Sequence, residues 1–345
     1  MIFVVFCTVE VIFTKLKMGL NKNIKIIINY WLGPLLFVLL SYSLYLQIAN
    51  KPDLPMRWQQ IKEAAHNPML WLIVLLMFLN WGIEAKKWQI LVAPLEKINL
   101  LTAFKSVLAG CSVTMLTPNR VGEYGGRILY IKPHNRLKAI AHNILGSMSQ
   151  LFITLLMGIC GLIYLKYFAA GNSKIYELLP AFAINTFLYL SIGITTLLIL
   201  LYFRVGFIVK MIYRSGVLKK FVKYIEHLAN FERKQLLRIL FLSFFRYLVF
   251  ILQYMLMLHI LFVAIPAITC FWLLSVFYLA MVMAPSIGFT ELPLRAAASV
   301  QILQLFSDNI AGMQAASLGI WLINLVTPAI IGSLLIFGLK IMKDK

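Results

Sequence analysis

A glutamate followed four residues later by an arginine, just behind a proline break, occurs twice in this chain. The first copy is Pro118-Asn-Arg-Val-Gly-Glu123-Tyr-Gly-Gly-Arg127 and the second is Pro285-Ser-Ile-Gly-Phe-Thr-Glu291-Leu-Pro-Leu-Arg295. Residues four apart share a helix face, so each pair can neutralise itself. Beyond that structural role, Pro118 and Pro285 leave carbonyls without partners, and Gly122 and Gly288 allow a tight turn or close approach. A helix arm starting after such a break points its free N–H groups and positive end inward, where a phosphate can dock. Arg120, Arg127 and Arg295 then become candidate phosphate ligands, and Glu123 and Glu291 candidate partners for a headgroup amine.

These charges interrupt sequence that belongs in a membrane. The hydrophobic fraction is 61% and mean hydropathy is +0.87. Apolar segments at 26–48, 69–83, 99–116, 140–165, 178–203, 239–263, 267–284, 293–306 and 313–339 predict a helical, all-α polytopic membrane protein, and strand alternation is absent. A charge at the bilayer centre costs about 2.5–3.5 kcal/mol unless paired or facing a wet cavity. Intramembrane ionisable residues are therefore functional candidates by default.

The net charge of +20 is distributed between the apolar segments and not on a separate soluble domain. It reads as topology signals and affinity for anionic headgroups, with no nucleic acid as partner. Placing both termini in the cytoplasm leaves only Lys51, Arg57, Lys62, Lys166 and Lys174 outside, while Lys and Arg crowd the inside loops. A cell (inner) membrane location follows from this arrangement. Residues 1–17 are too short to span and lack signal-peptide features, so they read as a non-structural extension before a single membrane domain, 18–345.

The segment 120–131 is too short and too charged for an independent span, so 99–131 reads as a re-entrant hairpin. The tip Pro285 to Pro293 carries no Lys or Arg, which favours a second hairpin over a cytoplasmic loop. The expected architecture is then about six spans plus two re-entrant helical hairpins, or about eight spans if the hairpins cross fully. With hairpins, the order span, span, hairpin, span repeats with opposite orientation, giving repeats at about 25–168 and 177–340. The basic loop 204–238 mixes Phe207, Ile208, Met211 and Ile212 with Lys210, Arg214 and Lys219, the pattern of a surface amphipathic helix or of plain cytoplasmic retention.

Other polar residues form helical stripes: Asn143, Ser147 and Gln150; Gln314, Ser317 and Asn324; and Ser243, Arg246 and Gln253. The uncharged ones predict interhelical hydrogen bonds. Arg246 lies well inside its span and joins the candidate substrate ligands. Asn80 and Glu84 share a face at the inner end of the second span, where Glu84 reads as an interfacial residue pairing with Lys87 or Lys97. His134, His142 and His259 have no ligand-spaced neighbours, the four cysteines form no metal pattern, and no nucleotide or hydrolase motif is present. No catalytic residue, metal or cofactor is expected.

TPNRVGEYGGR, with LNWGIEAKKWQILV upstream and ELPLRAAA downstream, resembles the lysylphosphatidylglycerol synthase transmembrane (flippase-like) family, which includes the membrane half of the multiple peptide resistance factor. The resemblance covers roughly residues 25–340 and assigns Pro118, Arg120, Gly122, Glu123 and Arg127 to the family's first motif. Pro293, inserted between Glu291 and Arg295, sets the second motif apart and puts its helical pairing in question. The chain stops at Lys345, so it reads as a stand-alone member without the soluble synthase domain, and aminoacyl transfer does not carry over. The resemblance implies a lipid flippase or transporter whose partners are membrane lipids, anionic or zwitterionic phospholipid. A membrane-embedded enzyme acting on lipid headgroups, or a non-transporting scaffold for lipid-synthesis enzymes, are the alternatives. Headgroup, direction, energy source and oligomeric state are not encoded in any motif.

Overall fold

The computed structural model describes residue 42 and residues 54–115, 122–167, 181–207, 209, 225–283 and 291–343. Helices dominate, and no strand occurs among the described residues. They are α1 (Leu54–His66), α2 (Met69–Val92), α3 (Leu100–Met115), α4 (Gly122–Arg127), α5 (Arg136–Tyr167), α6 (Ala181–Phe203), α7 (Arg233–Ile260), α8 (Ala267–Met283), α9 (Glu291–Leu303), α10 (Ile310–Trp321) and α11 (Thr327–Lys343). A π-turn, Leu322–Val326, joins α10 to α11.

Five helical segments are long and apolar enough to cross a bilayer: Met69–Val92, Pro133–Tyr167, Ile184–Phe203, Arg233–Ile260 and Ile310–Ile336. They coincide with five of the six expected spans, and the sixth, 26–48, lies outside the described residues apart from Tyr42. The protein is an all-α, multi-pass membrane protein. The helices on either side of the two proline breaks are shorter. At about 1.5 Å per residue, α3, α8 and α9 reach roughly 24, 26 and 20 Å, below the roughly 30 Å hydrocarbon core. α4 has only six residues.

The second span corrects the sequence reading. Its expected end at residue 83 is instead the middle of a continuous helix that runs to Val92. Charged residues at 84, 86 and 87 look like a water boundary in hydropathy, yet Glu84 and Lys87 are turned inward and paired, so the helix need not end there. Asn80, Trp81, Glu84, Lys87, Trp88 and Leu91 form one buried face at helical spacing.

Packing radiates from the centre. α2 lies against α7, α3 and α5; α5 against α8, α6 and α7; α3 against α4 and α11; and α9 between α8 and α10. α7 begins with a reciprocal cap in which Gln235 Oε1 accepts the Glu232 N–H and the Glu232 side chain accepts a first-turn N–H. α6 packs chiefly on α5 and leaves Phe182, Tyr189 and Leu197 exposed, as expected of a helix facing lipid. The stretch expected to form the amphipathic helix, 207–223, falls outside the described residues apart from Phe207 and Val209, while the loop expected to run to 238 ends earlier, because α7 starts at Arg233.

Two glycines let α3 be gripped from both sides. A Cβ at Gly126 on α4 would overlap the Ala109 carbonyl oxygen, and one at Gly332 on α11 would overlap the Leu108 carbonyl oxygen. Backbones approach this closely only where a side chain is missing, the usual device for tight helix packing in lipid. α4 is also held at its end, where Ser106 Oγ donates to the Arg127 carbonyl at 2.8 Å. That bond supplies a partner to one of the carbonyls a helix leaves open at its C-terminus.

Candidate functional site

Glu84 is the hub of a buried ion-pair cluster. Lys87 Nζ lies 2.7 Å from its Oε2, Arg127 Nη2 donates to its Oε1 at 2.8 Å, and Arg246 Nη1 lies 3.1 Å from Oε2. Arg127 Nη2 also pairs with Glu123, one turn away on α4. Three cations thus meet two carboxylates, and Lys87 and Arg127 are each 1% exposed. Glu84 as an interfacial residue is therefore a correction: its pairing with Lys87 is as expected, but it is 3% exposed and binds two arginines from other helices.

Each cation is fixed by a second contact. Lys87 Nζ reaches Ser243 Oγ at 3.5 Å, and Ser243 Oγ lies 2.8 Å from Ser149 Oγ. Arg246 Nε donates to Asn80 Oδ1 at 2.9 Å, and its Nη1 lies 3.5 Å from Gln150 Oε1. Asn80 Nδ2 donates to Asn324 Oδ1 at 3.3 Å. The two arginines also sit over aromatic faces, Arg127 over Trp88 at 5.5 Å and Arg246 over Trp81 at 5.1 Å and Phe250 at 5.2 Å. Arg246 does not snorkel to the surface; it is the most exposed cation of the cluster, at 12% of its side chain.

The unused hydrogen-bonding capacity around the cluster lies mostly on donors, because Glu84 Oε2, which makes no hydrogen bond among the described residues, is held by its ion pairs with Lys87 and Arg246. Nε and Nη1 of Arg127 and the indole N–H groups of Trp81 and Trp88 are buried with no hydrogen-bond partner among the described residues. All four are donors. A cluster with a surplus of cations and unused N–H groups complements an acceptor-only anion.

In the second motif, Arg295 Nε and Nη2 bind Glu291 Oε1 at 2.8 and 2.7 Å. Pro293 does not disturb this pairing, because it stands in the first turn of α9, where an N–H has no intrahelical partner to lose. Arg127 and Arg246 meet at Glu84, while Arg295 pairs within its own helix. Gly122 is the first residue of α4 and is buried; Pro118, Arg120, Pro285 and Gly288 lie outside the described residues. Of the polar stripes, Gln253 donates to the Ile73 carbonyl at 2.9 Å and Gln150 Nε2 to the Ser243 carbonyl at 3.4 Å, as interhelical bonding predicts. No metal-binding group of His, Cys, Asp and Glu occurs among the described residues.

Residues 30–332 match the family described as the lysylphosphatidylglycerol synthase TM region. The chain belongs to that family. Membership makes it a membrane protein of lipid headgroup modification or transport. No curated protein and no solved structure matches the chain. The Glu84 cluster joins two stretches of the matched region, since LNWGIEAKKW supplies Glu84 and Lys87 and GEYGGR supplies Glu123 and Arg127 to one ion-pair network.

Proposed function

We propose that this protein is a lipid flippase, or a related lipid transporter, that moves a polar-headed phospholipid between leaflets. The observation that carries the reading is the Glu84 cluster, in which Glu84, Lys87 and Arg127 are buried, Glu123 and Arg246 are partly buried, and Arg127, Trp81 and Trp88 hold unused N–H donors. Such a concentration of charge at membrane depth is costly for structure alone, since well-packed apolar residues of equal volume are often as stable.

In this reading Arg246, the most accessible cation, releases Glu84 and takes an entering phosphate, while Lys87 and Arg127 hold the carboxylate in place. Glu123, Glu291 and Arg295, with Arg120 beside the first break, form the rest of the polar route. The acyl chains stay in the bilayer. The short helices around Pro118 and Pro285 act as re-entrant hairpins of two inverted repeats, 25–168 and 177–340, opening to opposite sides of the inner membrane, with both termini in the cytoplasm. Membrane phospholipids are the partners, and movement is downhill or coupled to an ion or proton.

Reconstitution with a fluorescent phosphatidylglycerol, followed by a quencher that reaches only the outer leaflet, tests the activity. Movement well above that of protein-free vesicles is expected, and a rate equal to theirs contradicts the proposal.

A further inference from the structure

The last long helix changes partners part-way along its length. α10 packs against α9, the arm that follows the second proline break, and against α7; beyond Leu322–Val326, α11 packs against α3, the arm that precedes the first break. The π-turn sits between these two sets of contacts. There the Thr327 N–H donates to the Leu322 carbonyl, five residues back, and Thr327 Oγ1 donates to the same oxygen at 3.1 Å.

The next residue explains the wider turn. Pro328 has no N–H to give, and in an α-helix its ring would strike the carbonyl four residues earlier, that of Asn324. A π-turn relieves the clash by widening the helix and shifting the phase of everything after it. Asn324 lies inside the turn and is buried, and its Oδ1 accepts from Asn80, whose own Oδ1 accepts from Arg246 Nε. One helix therefore touches α9 before the turn, Asn80 beside the ion-pair cluster at the turn, and α3 after it, where Gly332 meets Leu108.

We infer that the π-turn is the joint that couples the α3–α11 seam to the ion-pair cluster, and that Asn324 is a positioning residue holding Asn80, and through it Arg246, in register. Its use in transport rests on the function proposed above. When Arg246 leaves Glu84, Asn80 loses a donor, the Asn80–Asn324 bond is free to break, and the turn, which Pro328 keeps in place, can bend. That motion shifts α11 on α3.

The test uses the full chain in vesicles of phosphatidylethanolamine and phosphatidylglycerol, with two readouts: maleimide labelling of Cys111, Cys160 and Cys270 resolved by peptide mass, and movement of fluorescent phosphatidylglycerol. Cys111 lies on α3, one turn from Leu108, whereas Cys160 lies on α5 and Cys270 on α8. Loss of the buried Asn80–Asn324 bond in Asn324→Leu is expected to change Cys111 labelling several-fold, leave Cys160 and Cys270 as in wild type, and slow lipid movement by about ten-fold. Asn324→Gln, which keeps an uncharged amide acceptor, is expected to stay closer to wild type than Asn324→Leu in both readouts. Unchanged Cys111 labelling in a folded Asn324→Leu protein overturns the inference. If all three cysteines become reactive, the variant has unfolded, and Thr327→Val at an exposed position decides instead: a selective Cys111 change supports the joint and none overturns it. Should the wild type move no lipid, the transport reading fails while the Cys111 comparison still decides the joint.

Discussion

Arg127 Nη2 lies 2.8 Å from Glu84 Oε1, joining residues 43 positions apart in the chain. The bond ties the short helix after the first proline break to the second span, at a carboxylate that also holds Lys87 and Arg246. A self-neutralising Glu123–Arg127 pair needed no such partner. That Arg127 is shared between two carboxylates makes the motif part of a larger electrostatic unit.

Glu84→Ala should be the most destabilising carboxylate substitution in the cluster. It leaves two almost fully buried cations, Lys87 and Arg127, and the partly buried Arg246 short of a partner, and removing one side of a buried ion pair costs about 3–5 kcal/mol. Glu63→Ala, which removes only an exposed bond from Gln59, should change stability by less than about 1 kcal/mol. Thermal unfolding of detergent-purified protein compares the two; equal midpoints would mean that Glu84 is not the hub.

The seam around α3 should be intolerant of a single methyl group. Gly126→Ala and Gly332→Ala each place a Cβ against a backbone carbonyl that cannot step aside, with an expected cost of about 1–3 kcal/mol. Gly125→Ala meets nothing within 4 Å and should be neutral or stabilising by about 0.5–1 kcal/mol through helix propensity. The same unfolding assay reads the contrast.

Pro293→Ala should have little effect. The ring stands in the first turn of α9 and the Glu291–Arg295 bonds form in its presence, so the change is expected to stay within about 1 kcal/mol of wild type. A large loss of stability would show that Pro293 sets the shape of the second break.

The turn closing α7 should be improvable. Phe262 has φ 56°, a left-handed conformation that favours glycine, and it is half exposed. Phe262→Gly is expected to stabilise by about 1 kcal/mol through relief of that strain. Asn309→Ala, in contrast, removes the cap on Gly312 N–H and the bonds to the Leu261 and Phe262 carbonyls, costing about 1–2 kcal/mol.

Much of the fold was legible because hydropathy and local spacing carry it. Five spans fall where apolar windows predicted, and both Glu-x-x-x-Arg pairs form, since i and i+4 residues meet on any helix. The role of Glu84 was not legible. Its partners Arg127 and Arg246 come from other helices, and a charge near a hydropathy boundary looks the same whether it faces water or two arginines. The one local clue was that Asn80 and Glu84 share a face. The π-turn left a weaker trace: Pro328 forbids a regular helix there, but hydropathy is blind to backbone phase.

The most direct measurement is the initial rate of fluorescent phosphatidylglycerol movement for Arg246→Ala against wild type, reconstituted at equal protein density and shown to be folded. Loss of the accessible cation that pairs with Glu84 is expected to lower the rate by about ten-fold or more, the scale of a charged hydrogen bond. Equal rates for the two proteins would contradict the assignment of the Glu84 cluster as the headgroup site.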